Sequence, residues 1–258
     1  MASDHFSLVV VPAPILDESI ASWLMRVGQM HAISPDQLFR RARLKRVSDF
    51  DRDLQLEDLE KIVIGTGLGL GAIQCLMGKF KNIRSQSLWR TFVIGPDSSG
   101  GYYKYCPHCL ASDDEPYWRF TWRLTYYKLC PVHGIELIER CLSCRRPVFP
   151  VRRPVGLFLQ ATSVLCVCPY CDYDWRGAVV KPVKEEGLKS ALALQRTITA
   201  AILRGHYFVV GVEGEFSLMQ LPIDLRKGFV PAEGEWEGYS TYAVTMRALI
   251  AGIWDYGD

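Results

Sequence analysis

Four short cysteine and histidine pairs between residues 106 and 171 are the part of this chain whose spacing suits metal chemistry. They are Cys106-Pro-His-Cys109, Cys130-Pro-Val-His133, Cys141-Leu-Ser-Cys144 and Cys168-Pro-Tyr-Cys171. Eight of the nine cysteines and two of the five histidines fall in this stretch. Zinc takes four ligands tetrahedrally, and a C-x-x-C turn brings two sulfurs to one ion without straining the backbone, so two such turns close a site. The gap of roughly 20 residues between paired turns matches the zinc-ribbon pattern, in which each knuckle caps a short hairpin or helix. The spacing therefore predicts two zinc ions in tandem. Cys106, Cys109, Cys130 and His133 form the first site, and Cys141, Cys144, Cys168 and Cys171 the second.

Disulfides, a redox C-x-x-C pair and buried free thiols compete with this reading. Proline and histidine inside the pairs suit metal turns, and the N-terminus MASDHFSLVVVPAP lacks the basic n-region and apolar h-region of a secretion signal. Cys166 stands two residues before Cys168 and can replace it as a ligand, but the register favours Cys168, leaving Cys166 as a packed thiol. His108 reads as a turn residue, since four ligands already close the site. Three thiolates plus an imidazole, or four thiolates, leave no position for water, so the expected metals are scaffolding. The zinc deaminase pattern needs H-x-E, whereas this chain has His133-Gly-Ile-Glu136. Neither a glycine-rich phosphate loop nor a recognisable nuclease or hydrolase constellation stands out, so an enzyme is the less favoured class.

What must position these pairs is a chain of 258 residues, 49% hydrophobic and 22% charged, with a net charge of +2. That is the composition of a globular protein, and no apolar run reaches the roughly 18 residues of a membrane helix, so no membrane partner and a reducing, cytoplasmic setting are expected. Asp17 can cap a helix running to Met30, with Ile20, Trp23, Leu24 and Val27 as one apolar stripe. Ser34-Pro35-Asp36-Gln37 is a capping box that opens a second helix. Leu56 to Ile64 and Leu70 to Met77, separated by Gly65, Gly67 and Gly69, read as helix, glycine turn, helix, which suits a helix-turn-helix or ordinary bundle packing. Gly95 to Gly101 is a turn-rich linker. Lys184 to Arg204 is an amphipathic helix stopped by Gly205; Tyr207 to Val212 is a strand, Gly234 to Gly238 a loop, and a last helix runs from about Ser240 to Trp254. The fold class expected is α+β: a mainly helical, helix-turn-helix-like domain over 1–95, a tandem zinc-ribbon module over 102–178 and a helical C-terminal region over 179–258.

Basic residues cluster in three places: Arg40, Arg41, Arg43, Lys45 and Arg46; Lys79, Lys81 and Arg84 with Arg90; and Arg145, Arg146, Arg152 and Arg153. A solvated face accounts for any one of them, because acidic stretches such as Asp49 to Asp53 offset them. Placement beside other motifs favours Arg145, Arg146, Arg152 and Arg153, with Lys79, Lys81 and Arg84, as contacts to nucleic acid. For the first four, pairing with Glu136 and Glu139 is the competing account. The aromatic run Glu115 to Leu124 can stack bases, but a small zinc module has little aliphatic core and packs aromatics instead.

These residues together resemble the TniQ and TnsD transposition proteins. The resemblance is carried by Pro14 to Arg26 with Glu18, Ser19, Ser22, Trp23, Leu24 and Arg26, by Tyr105-Cys-Pro-x-Cys-Leu110, by Tyr117-Trp-Arg119 and Trp122-Arg-Leu124, and by Cys130-Pro-x-His-Gly134, Leu137 and Cys141-x-x-Cys144. It covers about residues 8 to 175. It implies a non-catalytic target-site selection adaptor of a DNA transposon. Such a protein binds DNA directly, or attaches to a CRISPR effector complex, and recruits an AAA+ ATPase regulator; a homodimer is a further possible partner. The competing reading is a zinc-ribbon, DNA-binding transcription regulator, which would bind an operator without a transposase partner.

Overall fold

The computed structural model describes residues 8–94, 102–150, 163–183, 185–209 and 212–226. Among them the architecture is α+β, with nine α-helices and a two-stranded antiparallel sheet. In chain order the helices are α1 (Ile20–Met30), α2 (Pro35–Arg41), α3 (Phe50–Asp53), α4 (Leu56–Val63), α5 (Leu70–Gly78), α6 (Gln86–Phe92), α7 (Pro107–Ser112), α8 (Glu185–Arg204) and α9 (Leu221–Arg226). The strands are β1 (His206–Val209) and β2 (Val212–Ser217). The described residues fall into two compact units, one drawn from Met1–Lys81, Val93–Leu124 and Leu137–Val179, the other from Asn82–Phe92, Thr125–Glu136 and Val180–Asp258.

In the first unit α1 starts two residues later than its sequence suggests. Ser19, with extended backbone, is the N-cap and accepts a hydrogen bond from the Ser22 amide, while Asp17 is drawn away to accept from the Tyr117 hydroxyl at 2.6 Å. A hydroxyl next to the helix start satisfies an orphan amide as well as a carboxylate does. The expected stripe of Ile20, Trp23, Leu24 and Val27 is fully buried. The capping box at Ser34 forms in both directions, with Gln37 accepting from the Ser34 amide at 2.8 Å and donating its own amide to the Ser34 hydroxyl at 3.2 Å.

The connection from α1 to α2 rests on Gly28, a feature with no clear sign in the sequence. The chain folds back so that the Ile33 amide donates to the Gly28 carbonyl at 2.9 Å, and a Cβ on Gly28 would stand 2.5 Å from the Ile33 carbonyl oxygen. Gly28→Ala should therefore destabilise the protein by about 1–3 kcal/mol, as overpacking against unyielding backbone does. A denaturant midpoint equal to that of the wild type would refute this close approach.

Helices α4 and α5 flank a turn in which Gly65 and Gly67 have φ of 81° and 78°, conformations that favour glycine. Leu59, Ile62 and Val63 of α4 and Ile73 and Leu76 of α5 are buried. The core of this unit is aromatic. Trp23, Trp118, Trp122, Trp175, Tyr103 and Tyr105 are all essentially inaccessible, Tyr105 stacks on Trp175 with centroids 5.2 Å apart, and the Trp118 indole donates to the Leu165 carbonyl at 2.9 Å. Within the run Glu115 to Leu124, Trp118, Phe120 and Trp122 are thus core and not available to stack bases, while Tyr117 is half-buried with its hydroxyl bonded to Asp17.

In the second unit α8 buries Leu194, Ile198, Ala201 and Ile202. Gln195, on the same face, is a polar clamp: its carbonyl oxygen accepts from the amides of Lys128 and Leu129 at 2.7 and 2.9 Å, and its amide donates back to the Leu129 carbonyl at 2.9 Å. Gly205, with φ of 92°, ends the helix. The sequence suggested one strand there, and the structure has a hairpin in which Tyr207 faces Phe216. The second strand, VEGEFS, is largely exposed and has no apolar alternation, so periodicity does not reveal it. No helix among the described residues is long and apolar enough to cross a membrane. The linker 95–101, the loop 234–238 and the last helix expected near 240–254 lie outside the described residues.

Candidate metal centres

Three of the four ligand pairs sit on backbone turns of the same form. In each, the amide of the first ligand donates to the carbonyl five residues on: Cys130 to Ile135 at 2.8 Å, Cys141 to Arg146 at 2.9 Å and Cys168 to Tyr173 at 2.9 Å. The amide four residues on returns to the first ligand's carbonyl, from Gly134, Arg145 and Asp172, at 2.9, 2.9 and 3.0 Å. That fourth position is left-handed every time, with φ of 60°, 61° and 57°. Glycine takes this conformation freely and aspartate readily, whereas an arginine there costs roughly 1 kcal/mol. Short antiparallel bridges flank the turns at Leu129 and Glu136, Arg140 and Pro147, and Val167 and Asp174. The first pair is built differently. Cys106 is the N-cap of α7, its sulfur accepts from the Cys109 amide at 3.4 Å, and Pro107 occupies the first helical position, where no amide is needed.

The sulfur separations test whether an ion fits. Two sulfurs each about 2.3 Å from a tetrahedral zinc stand about 3.8 Å apart, and a sulfur and an imidazole nitrogen about 3.6 Å. Cys141 and Cys171 Sγ are 3.7 Å apart, Cys144 and Cys168 Sγ 3.6 Å, and Cys130 Sγ and His133 Nδ1 3.5 Å. A disulfide would need about 2.05 Å, and none of the nine cysteines is joined in one. The ligand atoms of Cys106, Cys109, Cys130 and His133 all lie within 4.8 Å of one another, as do those of Cys141, Cys144, Cys168 and Cys171. The two clusters could hold two zinc ions. Cys166 belongs to neither: it is buried, its thiol donates to the Leu110 carbonyl at 4.0 Å, and burial pushes that thiol up to about 12.

The basic residues expected at a nucleic-acid surface differ in burial and surroundings. Arg145 and Arg146 are exposed on the turn of the second cluster, where the Arg146 guanidinium lies 4.5 Å over the Tyr170 ring of the facing turn. Arg152 and Arg153 lie outside the described residues. Lys79 ends α5, half-buried, with its ammonium 3.4 Å from the Cys75 carbonyl, and burial lowers its pKa. Lys81 is exposed and Arg84 half-buried. Glu139, considered as a partner of the loop arginines, lies 3.8 Å from Lys104. Along α5 the exposed residues are Leu70, Gly71, Gln74, Cys75 and Gly78, so Gln74 carries the one amide suited to a base edge.

Two buried ionic groups had no signal in local spacing. Arg123 is fully buried and donates to Asp49 at 2.7 and 2.9 Å and to Asp51 at 2.8 Å; Asp51 also accepts from the Tyr103 hydroxyl and from the Ala21 amide of α1. Burial resists ionisation of Asp49, but the guanidinium outweighs it and holds that carboxyl below the usual range. Burial raises Asp51, against the pull of Arg123 and with the help of Asp49. The second group explains the spacing of Glu18, Ser22 and Arg26 along α1. Glu18 accepts from the Ser22 hydroxyl at 2.7 Å and from Arg26 at 2.6 Å, Arg26 also grips Glu115 at 2.6 Å, and the Ser22 hydroxyl accepts from the Trp118 amide at 2.9 Å. The N-terminal motif and the Tyr117-Trp-Arg119 motif are thus two halves of one joint.

What fold and clusters define is an α+β protein with two cysteine-rich clusters, each of four side chains that could hold a zinc ion. Residues 9–137, half of the chain, match the TniQ family, and the chain belongs to it. TniQ proteins are transposon-associated and act in target selection, as a non-catalytic adaptor family. Among curated proteins none matches the chain.

Proposed function

We propose that this chain is a target-site adaptor of a DNA transposon, which engages target DNA directly or through an RNA-guided effector complex and recruits an AAA+ ATPase regulator of transposition. Membership of the TniQ family over residues 9–137 is the observation that carries this reading. Two clusters of four protein ligands support a non-catalytic role, because a catalytic zinc keeps a position for water and these clusters would leave none. The metals, held by Cys106, Cys109, Cys130 and His133 and by Cys141, Cys144, Cys168 and Cys171, would then fix the turns that present Arg145 and Arg146. In this reading those two arginines, with Arg152, Arg153, Lys79, Lys81 and Arg84, neutralise phosphates and do not read bases.

Co-purification with the transposon's AAA+ ATPase, with and without nucleotide and DNA, tests the adaptor role. Association in at least one of these conditions is expected. Absence of association in all of them, together with tight binding to an operator sequence, would favour a zinc-ribbon transcription regulator.

A further inference from the structure

We infer that the segment from Arg40 to Arg46 is a docking surface for the phosphate backbone of duplex DNA, an inference that rests on the adaptor reading. Five cations, Arg40, Arg41, Arg43, Lys45 and Arg46, occupy seven consecutive positions, and all five are exposed. In the sequence their charge looks balanced by the acidic stretch Asp49 to Asp53. The fold removes that balance. Asp49 and Asp51 are 5% and 0% exposed and are taken by Arg123, and Asp53 is taken by Arg52 at 2.6 Å and Ser48 at 2.8 Å. Among the described residues Asp36 meets the patch, 3.2 Å from Arg46, with the Arg46 side chain 73% and the Asp36 side chain 23% exposed. An ion pair whose guanidinium is this open to water is worth little and yields readily to a phosphate.

The patch is held in place. Leu38 and Phe39 anchor α2 in the core, and the chain leaves the helix through a closed turn in which the Ala42 amide donates to Leu38 at 2.9 Å, Arg43 to Arg40 at 3.2 Å and Leu44 to Phe39 at 2.8 Å. Arg43 has φ of 54° at this helix end, where glycine is the residue of least strain. The surface has no aromatic residue, and its apolar members, Ala42 and Leu44, are half-buried. Protein interfaces centre on aromatic and apolar anchors. A row of cations without such anchors fits a regular polyanion, whose condensed counterions these side chains would release.

The test uses the zinc-loaded full chain, a short DNA duplex of arbitrary sequence and a salt series. The Arg40→Gln, Arg41→Gln, Lys45→Gln variant should show a log–log salt slope shallower than the wild type by about three units, equivalent to about 40-fold less affinity lost between about 50 and about 200 mM salt. The charge-conserving Arg40→Lys, Arg41→Lys, Lys45→Arg variant should keep the wild-type slope. Unchanged zinc content and circular dichroism establish that both variants are folded. Equal slopes for the glutamine variant and the wild type, or no duplex binding by the wild type, would overturn the DNA surface. A slope change seen with structured RNA and not with duplex DNA would overturn it in favour of RNA. ATPase co-purification is read in parallel. Its persistence alongside equal slopes removes this surface and leaves the adaptor reading standing, whereas its absence in the wild type removes the adaptor reading even where the slopes differ.

Discussion

Purified protein should contain about two zinc ions per chain, and Cys144→Ser should lower this to about one while unfolding the turns around it. Cys144 is chosen because its sulfur stands 3.6 Å from that of Cys168, the spacing of two thiolates on a single ion. The hydrogen bonds of each turn are short and local, and turns of this kind do not persist without something to hold facing pairs together. In small zinc modules that holding energy is on the order of 10 kcal/mol or more at neutral pH. The Arg145 backbone, left-handed at φ of 61°, adds strain that the bound metal would offset. Cys166→Ser is the control: its thiol touches the Leu110 carbonyl and no ligand of either cluster, so zinc content should not change. Elemental analysis giving about one zinc or none in the wild type would remove the two-site assignment.

Arg123→Leu should be the most damaging change away from the metal clusters, costing about 3–5 kcal/mol in a denaturant titration, because it strands two carboxylates in the core. Both lie beyond the reach of water, at 5% and 0% exposure. The pH dependence separates this mechanism from a simple loss of packing. In the wild type Asp49 is held below its ordinary pKa by Arg123, so it contributes stability above about pH 4 that is lost as pH falls through its folded value. Without the guanidinium, burial, the largest influence on each, is no longer opposed by a cation and raises both carboxyls. The variant should then be least impaired near pH 4, where both carboxyls are protonated, and should lose stability as pH rises towards neutral. A deficit that stays constant between these pH values would mean that the arginine acts through its volume and not its charge.

The helices were legible to different degrees. The Ser34 capping box and the apolar stripe of α1 are local patterns, satisfied within one or two turns, and they appear as the residues suggest. The N-cap of α1 was misplaced because a distant residue, Tyr117, competes for Asp17. The hairpin of β1 and β2 was read as one strand because the exposed residues of β2 have no inward face to set a period. Gly28 looks like any helical glycine until Ile33 is folded onto it.

By itself the sequence determined which eight cysteines and histidines gather into two clusters that could hold zinc, together with the membership that residues 9–137 bear out. Spacing suffices there because a tetrahedral ion accepts a pair of ligands from one short turn, whatever the rest of the chain does. Tertiary structure alone decided the fate of the charges. Arg123 meets Asp49 and Asp51 from more than 70 residues away, and that meeting buries the acidic residues that seemed to neutralise Arg40 to Arg46. Charge balance along a chain is a sum over neighbours in sequence, whereas electrostatics acts between neighbours in space, and only folding converts the first into the second.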